Sequence, residues 1–172
     1  MTDYSGKRIV ATGPISDEAI SILEQIAPVE TATAFDDQSI ADLMLDTIGL
    51  VSRGMEVKVT AAVIEAACDL RVIGRPGAGY DTVDVDACTE AGIAVVITPD
   101  GVRRPVAVTI LTFILALAGK LIDKDRLSRE GSAGFAKRAN YMGIGLIGRT
   151  LGSIGIGNIG AEAFRMAAPL QM

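Results

Sequence analysis

Along the first hundred residues, short apolar runs alternate with amphipathic stretches that open on cap-forming side chains. Residues 7–12 hold Ile9-Val10-Ala11 and break at Gly13-Pro14, which predicts a buried first strand and its turn. Ser16 caps a first helix, with Asp17 and Glu18 suited to its positive N-terminus. Ile20, Leu23 and Ile26 share one face of that helix. Residues 29–33 form a short β-branched run. Ser39 with Asp42 predicts a capping box ahead of Leu43 and Met44. A third strand is expected at 48–52, then a helix opened by Thr60 with Val63, Ile64 and Ala67 facing inward. A fourth strand follows at 70–73, then a short helix at 84–91 stopped by Gly92, and a fifth strand at 93–97.

Five strands alternating with helices specify an α/β fold: a doubly wound parallel sheet of flavodoxin-like type. In such sheets ligands sit outside the carboxyl ends of the strands. The richest turn signal there is Gly74-Arg75-Pro76-Gly77-Ala78-Gly79-Tyr80-Asp81, after the fourth strand. A long helix is predicted from about 105 to 122, with Pro105 in its first turn. Only 15 uncharged residues separate Arg104 from Lys120, short of the roughly 20 a membrane span needs. Burial between domains or subunits is the reading for a helix apolar all round. Residues 120–149 are polar and glycine-rich and are expected to connect rather than build a core. A new strand at 149–154 then runs into Gly155-Ile156-Gly157-Asn158-Ile159-Gly160, and residues 161–168 read as helix before Pro169.

Composition narrows the class. The chain has 172 residues, 49% of them hydrophobic and 4% aromatic, with no Trp, so its core is aliphatic. Residues 1–100 hold 6 basic and 17 acidic side chains, against 10 and 4 in residues 101–172. The basic second part suits an anionic cofactor, or simple complementarity with the acidic first part. No run of five like charges marks a nucleic-acid arm. Cys68 and Cys88 lack metal spacing and read as small buried hydrophobes in a reducing compartment; no metal site is expected. No apolar h-region follows the polar residues 1–7, so a cytoplasmic location is expected. There is no His, the usual proton shuttle near neutral pH.

Two turns carry chemistry. GxGxxG, preceded by an apolar run and followed by a helix, is the pattern of a dinucleotide turn. Gly155 would permit the tight bend, Gly157 close approach of a pyrophosphate, and Gly160 helix–strand packing, with the amides near Asn158 and Ile159 facing phosphate. The alternative is a structural strand–turn–helix without ligand. The nucleotide reading requires a strand leading into the turn and no continuous helix through it. An acidic ribose ligand is expected about 20 residues after the loop, and 12 residues follow Gly160. The 77–81 loop could instead gather its amides into an anion nest, or be an ordinary tight turn. Arg53 and Arg75, at or just past strand ends, either bind an anion or are solvated charges.

Residues 70–86, 98–117 and 148–160 resemble, in order, blocks of the D-2-hydroxyacid dehydrogenase family, the last block most specifically. The resemblance implies a flavodoxin-like substrate domain at 1–98. Residues 99–172 would then be a linking helix and the beginning of a Rossmann NAD-binding domain. It implies that the Ala78 and Gly79 amides hold the substrate carboxylate; Arg53, at its strand end, is the candidate charge beside them. NAD would be held through Gly155, Gly157, Asn158, Ile159 and Gly160, and a homodimer would form through the helix at 105–122. The family's Arg, Glu and His have no counterpart before Met172, so no catalytic residue is assigned. Val106-Ala107-Val108 stands where relatives read Val-Ala-Glu.

Two functional classes follow. One is hydride transfer between nicotinamide and a 2-keto/2-hydroxy acid by a longer protein, this chain alone being inactive. The other is a non-catalytic binding or dimerisation module, or half of a split enzyme. Neither calls for nucleic acid or a membrane.

Overall fold

The computed structural model describes residues 4–33, 36–54 and 57–172, with Asp37 described in its backbone only. The chain forms two compact units, Met1–Pro99 and Asp100–Met172.

In the first unit, strands β1 (Arg8–Ala11), β2 (Val29–Thr31), β3 (Thr47–Val51), β4 (Val72–Arg75) and β5 (Ala94–Ile97) alternate with helices α1 (Asp17–Leu23), α2 (Asp37–Leu43), α3 (Ala61–Ala66) and α4 (Val85–Glu90). The sheet order is β2-β1-β3-β4-β5 and every pairing is parallel. This is the flavodoxin-like order, whose ligand crevice lies where β1 meets β3. Register puts Val10, Leu50 and Ile73 side by side. They point into a core with Ile40, Met44, Val63, Ile64 and Cys88. On the other face, Ile9, Ala27 and Ile48 form a smaller cluster with Leu23 and Val51. Val72 and Val96 on that face stay 38% and 50% exposed, so the sheet is covered fully on one side only.

Ser16 caps α1 as expected, its hydroxyl accepting from the Ala19 amide at 3.3 Å. The second helix departs from expectation. Its cap is Asp36, which accepts from the Ser39 amide at 3.0 Å and the Ser39 hydroxyl at 2.6 Å. Ser39 therefore lies inside the first turn rather than before it. Strand β4 begins at Val72, not Leu70; Leu70 is 3% exposed, buried with the α3–α4 core before strand pairing starts. Cys88 is buried, but Cys68 lies in the turn after α3 and is exposed.

The second unit contains α5 (Pro99–Ala118), α6 (Leu121–Arg129), α7 (Ser132–Ala136) and α8 (Asn158–Ala167), with short 3-10 turns at Arg138–Tyr141 and Ala168–Leu170. The proline at the first position of α5 is Pro99, and Pro105 falls inside the helix. The helix stops at Ala118 because Gly119 precedes Lys120, whose φ of +50° cannot continue it. By length and composition α5 could cross a membrane, with mean hydropathy 1.6. Asp100, Arg103 and Arg104 in its first turns leave 14 uncharged helical residues, 105–118. They rise about 21 Å, against a hydrocarbon core of about 30 Å.

Within the expected connector, Leu121–Arg129 and Ser132–Ala136 are helical. Leu127 is 6% exposed, and Arg129 pairs with Asp125 at 2.9 Å one turn earlier. The expected strand at 149–154 is absent: no described residue there pairs with another strand. Ile154 and Ile156 are exposed. A strand needs a neighbouring backbone to hydrogen-bond, and all five described strands pair with one another in the first unit.

Candidate functional site

The first unit gathers polar groups at the carboxyl ends of β1, β3, β4 and β5. Arg53 follows the end of β3 and is exposed; its Nη1 donates to the Pro14 carbonyl in the turn after β1. Arg75, half-buried, ends β4; its Nη1 donates to Pro76 O at 3.1 Å and Ser52 O at 3.5 Å. Two guanidiniums thus stand at neighbouring strand ends, since β3 and β4 pair directly.

The loop after β4 is pinned from β5. The Gly77 amide donates to Thr98 Oγ1 at 2.8 Å, and the Thr98 amide donates to Gly77 O at 2.8 Å. Gly77 holds φ +118°, a backbone that only glycine adopts without strain. Among the described residues, the amides of Ala78 and Gly79 donate to no protein acceptor. Both residues are exposed. Two unspent N–H groups on a braced loop, near two guanidiniums, can receive a small carboxylate. The Asp81 carboxylate limits that field: its Oδ2 would lie 3.4 Å from a Cβ at Gly79. Sequence reasoning singled out Ala78, Gly79, Arg53 and Arg75, and these lie at adjoining strand ends. It missed Thr98, whose signal was its place between a strand and Pro99, and Thr12, treated below.

The second unit holds the GxGxxG turn. Gly155 has φ +85°, and Ser153 Oγ donates to its carbonyl at 2.8 Å. Gly157 is the N-cap of α8, and no side chain caps the helix. Nothing lies within 4 Å of a Cβ at Gly157, so space there is open. At Gly160 a Cβ would meet the Gly155 carbonyl oxygen at 3.2 Å, which couples turn and helix. The amides of Asn158 and Ile159 open α8 without an intrahelical partner. This end fits a pyrophosphate. Of the two features the nucleotide reading required, one is met, since no helix runs through the turn. The other, a strand leading in, is not, so the fold of this segment does not by itself support the nucleotide reading.

Farther along α8, Glu162 accepts from Arg165 at 2.6 and 2.9 Å, and from Arg104 of α5 at 3.4 Å. Hydrogen bonding from Arg165, aided by the charges of Arg104 and Arg103, holds the Glu162 carboxyl below its ordinary value. Of these contacts, the one from Arg104 links α8 to α5.

Residues 9–113, more than half of the chain, match the family described as D-isomer specific 2-hydroxyacid dehydrogenase, catalytic domain. The chain is 38% identical over 165 residues to D-3-phosphoglycerate dehydrogenase of Methanocaldococcus jannaschii, covering 96% of this chain and 31% of that protein. The enzyme of the same name from Archaeoglobus fulgidus is 35% identical over 166 residues, with 96% and 31% covered. Among solved structures, a protein from Thermus thermophilus superposes with a TM-score of 0.86 at 27% identity, covering 96% of this chain and 54% of that one. The NAD+-bound 3-phosphoglycerate dehydrogenase of Entamoeba histolytica gives a TM-score of 0.73 at 25% identity, with 96% and 52% covered. The chain therefore spans about a third of the curated relatives' length and about half of the structural ones.

Proposed function

The chain belongs to the D-isomer specific 2-hydroxyacid dehydrogenase family, and from that membership we propose that it carries the substrate loop and the pyrophosphate turn of an NAD-dependent oxidoreductase. The substrate class is a 2-keto/2-hydroxy acid. Ala78 and Gly79 amides bind its carboxylate, and Arg53, with Arg75 behind it, supplies positive charge at the same strand ends. The observation that carries this reading is the pair of unspent amides on a loop braced by Thr98. The first unit is the substrate domain and the second contributes the nucleotide turn.

NAD, when bound, accepts or delivers the hydride. Gly155 and Gly157 let the backbone approach its pyrophosphate, Asn158 and Ile159 donate their amides, and Gly160 keeps the turn against α8. The chain contains no His, the usual proton shuttle near neutral pH, and the proposal places the proton transfer that accompanies hydride transfer on groups other than these residues. This chain alone is expected to give no turnover in an NADH-oxidation assay with glyoxylate, hydroxypyruvate or 2-ketobutyrate; saturable turnover overturns that expectation of inactivity, not the family. An NMR titration of the labelled chain with 3-phosphoglycerate should shift the Ala78 and Gly79 amides first. Shifts confined elsewhere remove the substrate-loop reading.

A second role accompanies the first. Phe113, Leu117 and Ile122 are 63%, 79% and 80% exposed along or just beyond α5. A row of large apolar side chains in water favours association. The homodimer is proposed to form through residues 105–122, and a monomer in analytical ultracentrifugation at tens of micromolar would exclude it. Two free thiols, Cys68 and Cys88, fit a reducing compartment such as the cytoplasm.

A further inference from the structure

The hydroxyl of Thr12 makes two hydrogen bonds to one residue across the sheet. Thr12 Oγ1 donates to Arg53 O at 2.9 Å and accepts from Arg53 N at 2.7 Å. The Thr12 amide itself donates to Val51 O at 3.0 Å. Thr12 is 3% exposed, so its hydroxyl is shielded from bulk water. β1 and β3 pair from Arg8 to Ala11 and from Thr47 to Val51. Beyond Ala11 the chain turns at Gly13-Pro14, and Pro14 has no N–H to extend a ladder. The Thr12 side chain therefore supplies the next rung in place of backbone.

That rung ends at a residue with a proposed role. Peptide groups on both sides of the Arg53 Cα are tied to one buried hydroxyl, which sets the direction of its Cα–Cβ bond. Gly13 allows close packing beside it: a Cβ there would lie 3.5 Å from Arg53 Cβ. The guanidinium then reaches the Pro14 carbonyl. One bond to Pro14 leaves most of the five guanidinium donors for a ligand.

We propose that Thr12 is the positioning residue for Arg53, fixing the backbone from which its guanidinium reaches the substrate anion over the carboxyl ends of β1 and β3. The idea rests on the substrate-site reading above, in which Arg53 touches the ligand and Thr12 does not. Serine keeps both hydrogen bonds. Valine matches threonine in shape but abolishes them, leaving the Arg53 amide and carbonyl without that partner.

The test titrates the whole 172-residue chain with 3-phosphoglycerate, followed by NMR, in wild type, Arg53→Ala, Thr12→Val and Thr12→Ser. Losing a charge-assisted contact, Arg53→Ala should weaken binding about ten-fold or more. Misaiming the same contact, Thr12→Val should weaken it about three-fold or more, with Thr12→Ser within about two-fold of wild type. If wild type does not bind saturably, or Arg53→Ala binds as wild type does, the substrate-site reading falls. If Arg53→Ala weakens binding while Thr12→Val does not, the positioning role falls alone. Amide hydrogen exchange in wild type is independent of how any variant folds. The Arg53 amide should exchange as slowly as those of Gly49 and Leu50 inside β3; exchange at loop rates overturns the Thr12 rung.

Discussion

Replacing Gly77 by alanine tests the carboxylate loop most directly. Gly77 sits at φ +118°, with nothing within 4 Å of where a Cβ would stand. The penalty is therefore confined to the backbone, and an L-residue held there costs about 1–3 kcal/mol. Relaxing φ would instead break the two 2.8 Å bonds that join Gly77 to Thr98. Either way the Ala78 and Gly79 amides lose their support. Gly74 is the internal control. It lies in β4 without a positive φ, and a Cβ there would meet only the Leu50 carbonyl oxygen, at 3.9 Å. Gly74→Ala should stabilise by about 0.5–1 kcal/mol, because glycine in a strand loses more freedom on folding. For a unit of roughly a hundred residues, 1 kcal/mol corresponds to about 4 °C or slightly more in Tm. Gly77→Ala should thus lower the melting of the first unit by about 4–12 °C, and Gly74→Ala should raise it by about 2–4 °C. Circular-dichroism melts, paired with the 3-phosphoglycerate titration, read both effects. Gly77→Ala melting at or above Gly74→Ala, with binding intact, would refute the claim that the loop depends on a glycine-only backbone.

Three further outcomes follow from burial and charge. Ile73→Ala, at a side chain 0% exposed in a central strand, should cost about 2–5 kcal/mol in urea unfolding. Val72→Ala, on the 38% exposed face beside it, should cost under about 1 kcal/mol, and equal losses would contradict the assigned faces. Burial, then the nearby Asp84 carboxylate, pushes the Cys88 thiol up from its ordinary value. A thiol reagent should therefore modify exposed Cys68 at once and Cys88 only after unfolding; two fast equivalents would be inconsistent with this. Lys7 bonds Asp46 and Asp69, both at 2.9 Å, which raises the Lys7 pKa above 10.5 and lowers that of Asp46 below 3.8. Asp46's contribution is present above pH 3.8 and lost as acid titrates it through its lower folded value. That of Lys7 is present below pH 10.5 and lost as pH rises through its higher folded value. The stability gap between wild type and Lys7→Met should be flat between about pH 5 and 9 and shrink at both extremes, and a gap that ignores pH would remove the ion pairs as its cause.

Much of the first unit was legible because parallel strands bury their side chains. Ile9-Val10-Ala11 stands out as an apolar run for that reason, whereas the equally apolar edge strand Ala94–Ile97 has no buried residue. Boundaries were less visible where two residues offered the same local chemistry. Asp36 and Ser39 are both cap formers, and only the 3.0 Å bond from the Ser39 amide shows which one caps. Leu70 looked like strand because it is apolar, yet packing beneath α3 buries it before pairing begins. The helices at Leu121–Arg129 and Ser132–Ala136 were hidden by their polar, glycine-rich sequence; one buried leucine and a few short-range ion pairs accompany them.

Local rules sufficed for the strand–helix alternation, the glycine turns and the residue types gathered at strand ends, because periodicity and backbone freedom are properties of neighbouring residues. Tertiary structure alone decided that Thr12 completes the ladder to Arg53, that Thr98 braces Gly77, and that residues 149–154 do not form a strand. Each of those depends on a partner distant in the chain, and a hydrogen bond cannot be assigned to one end without knowing where the other end lies.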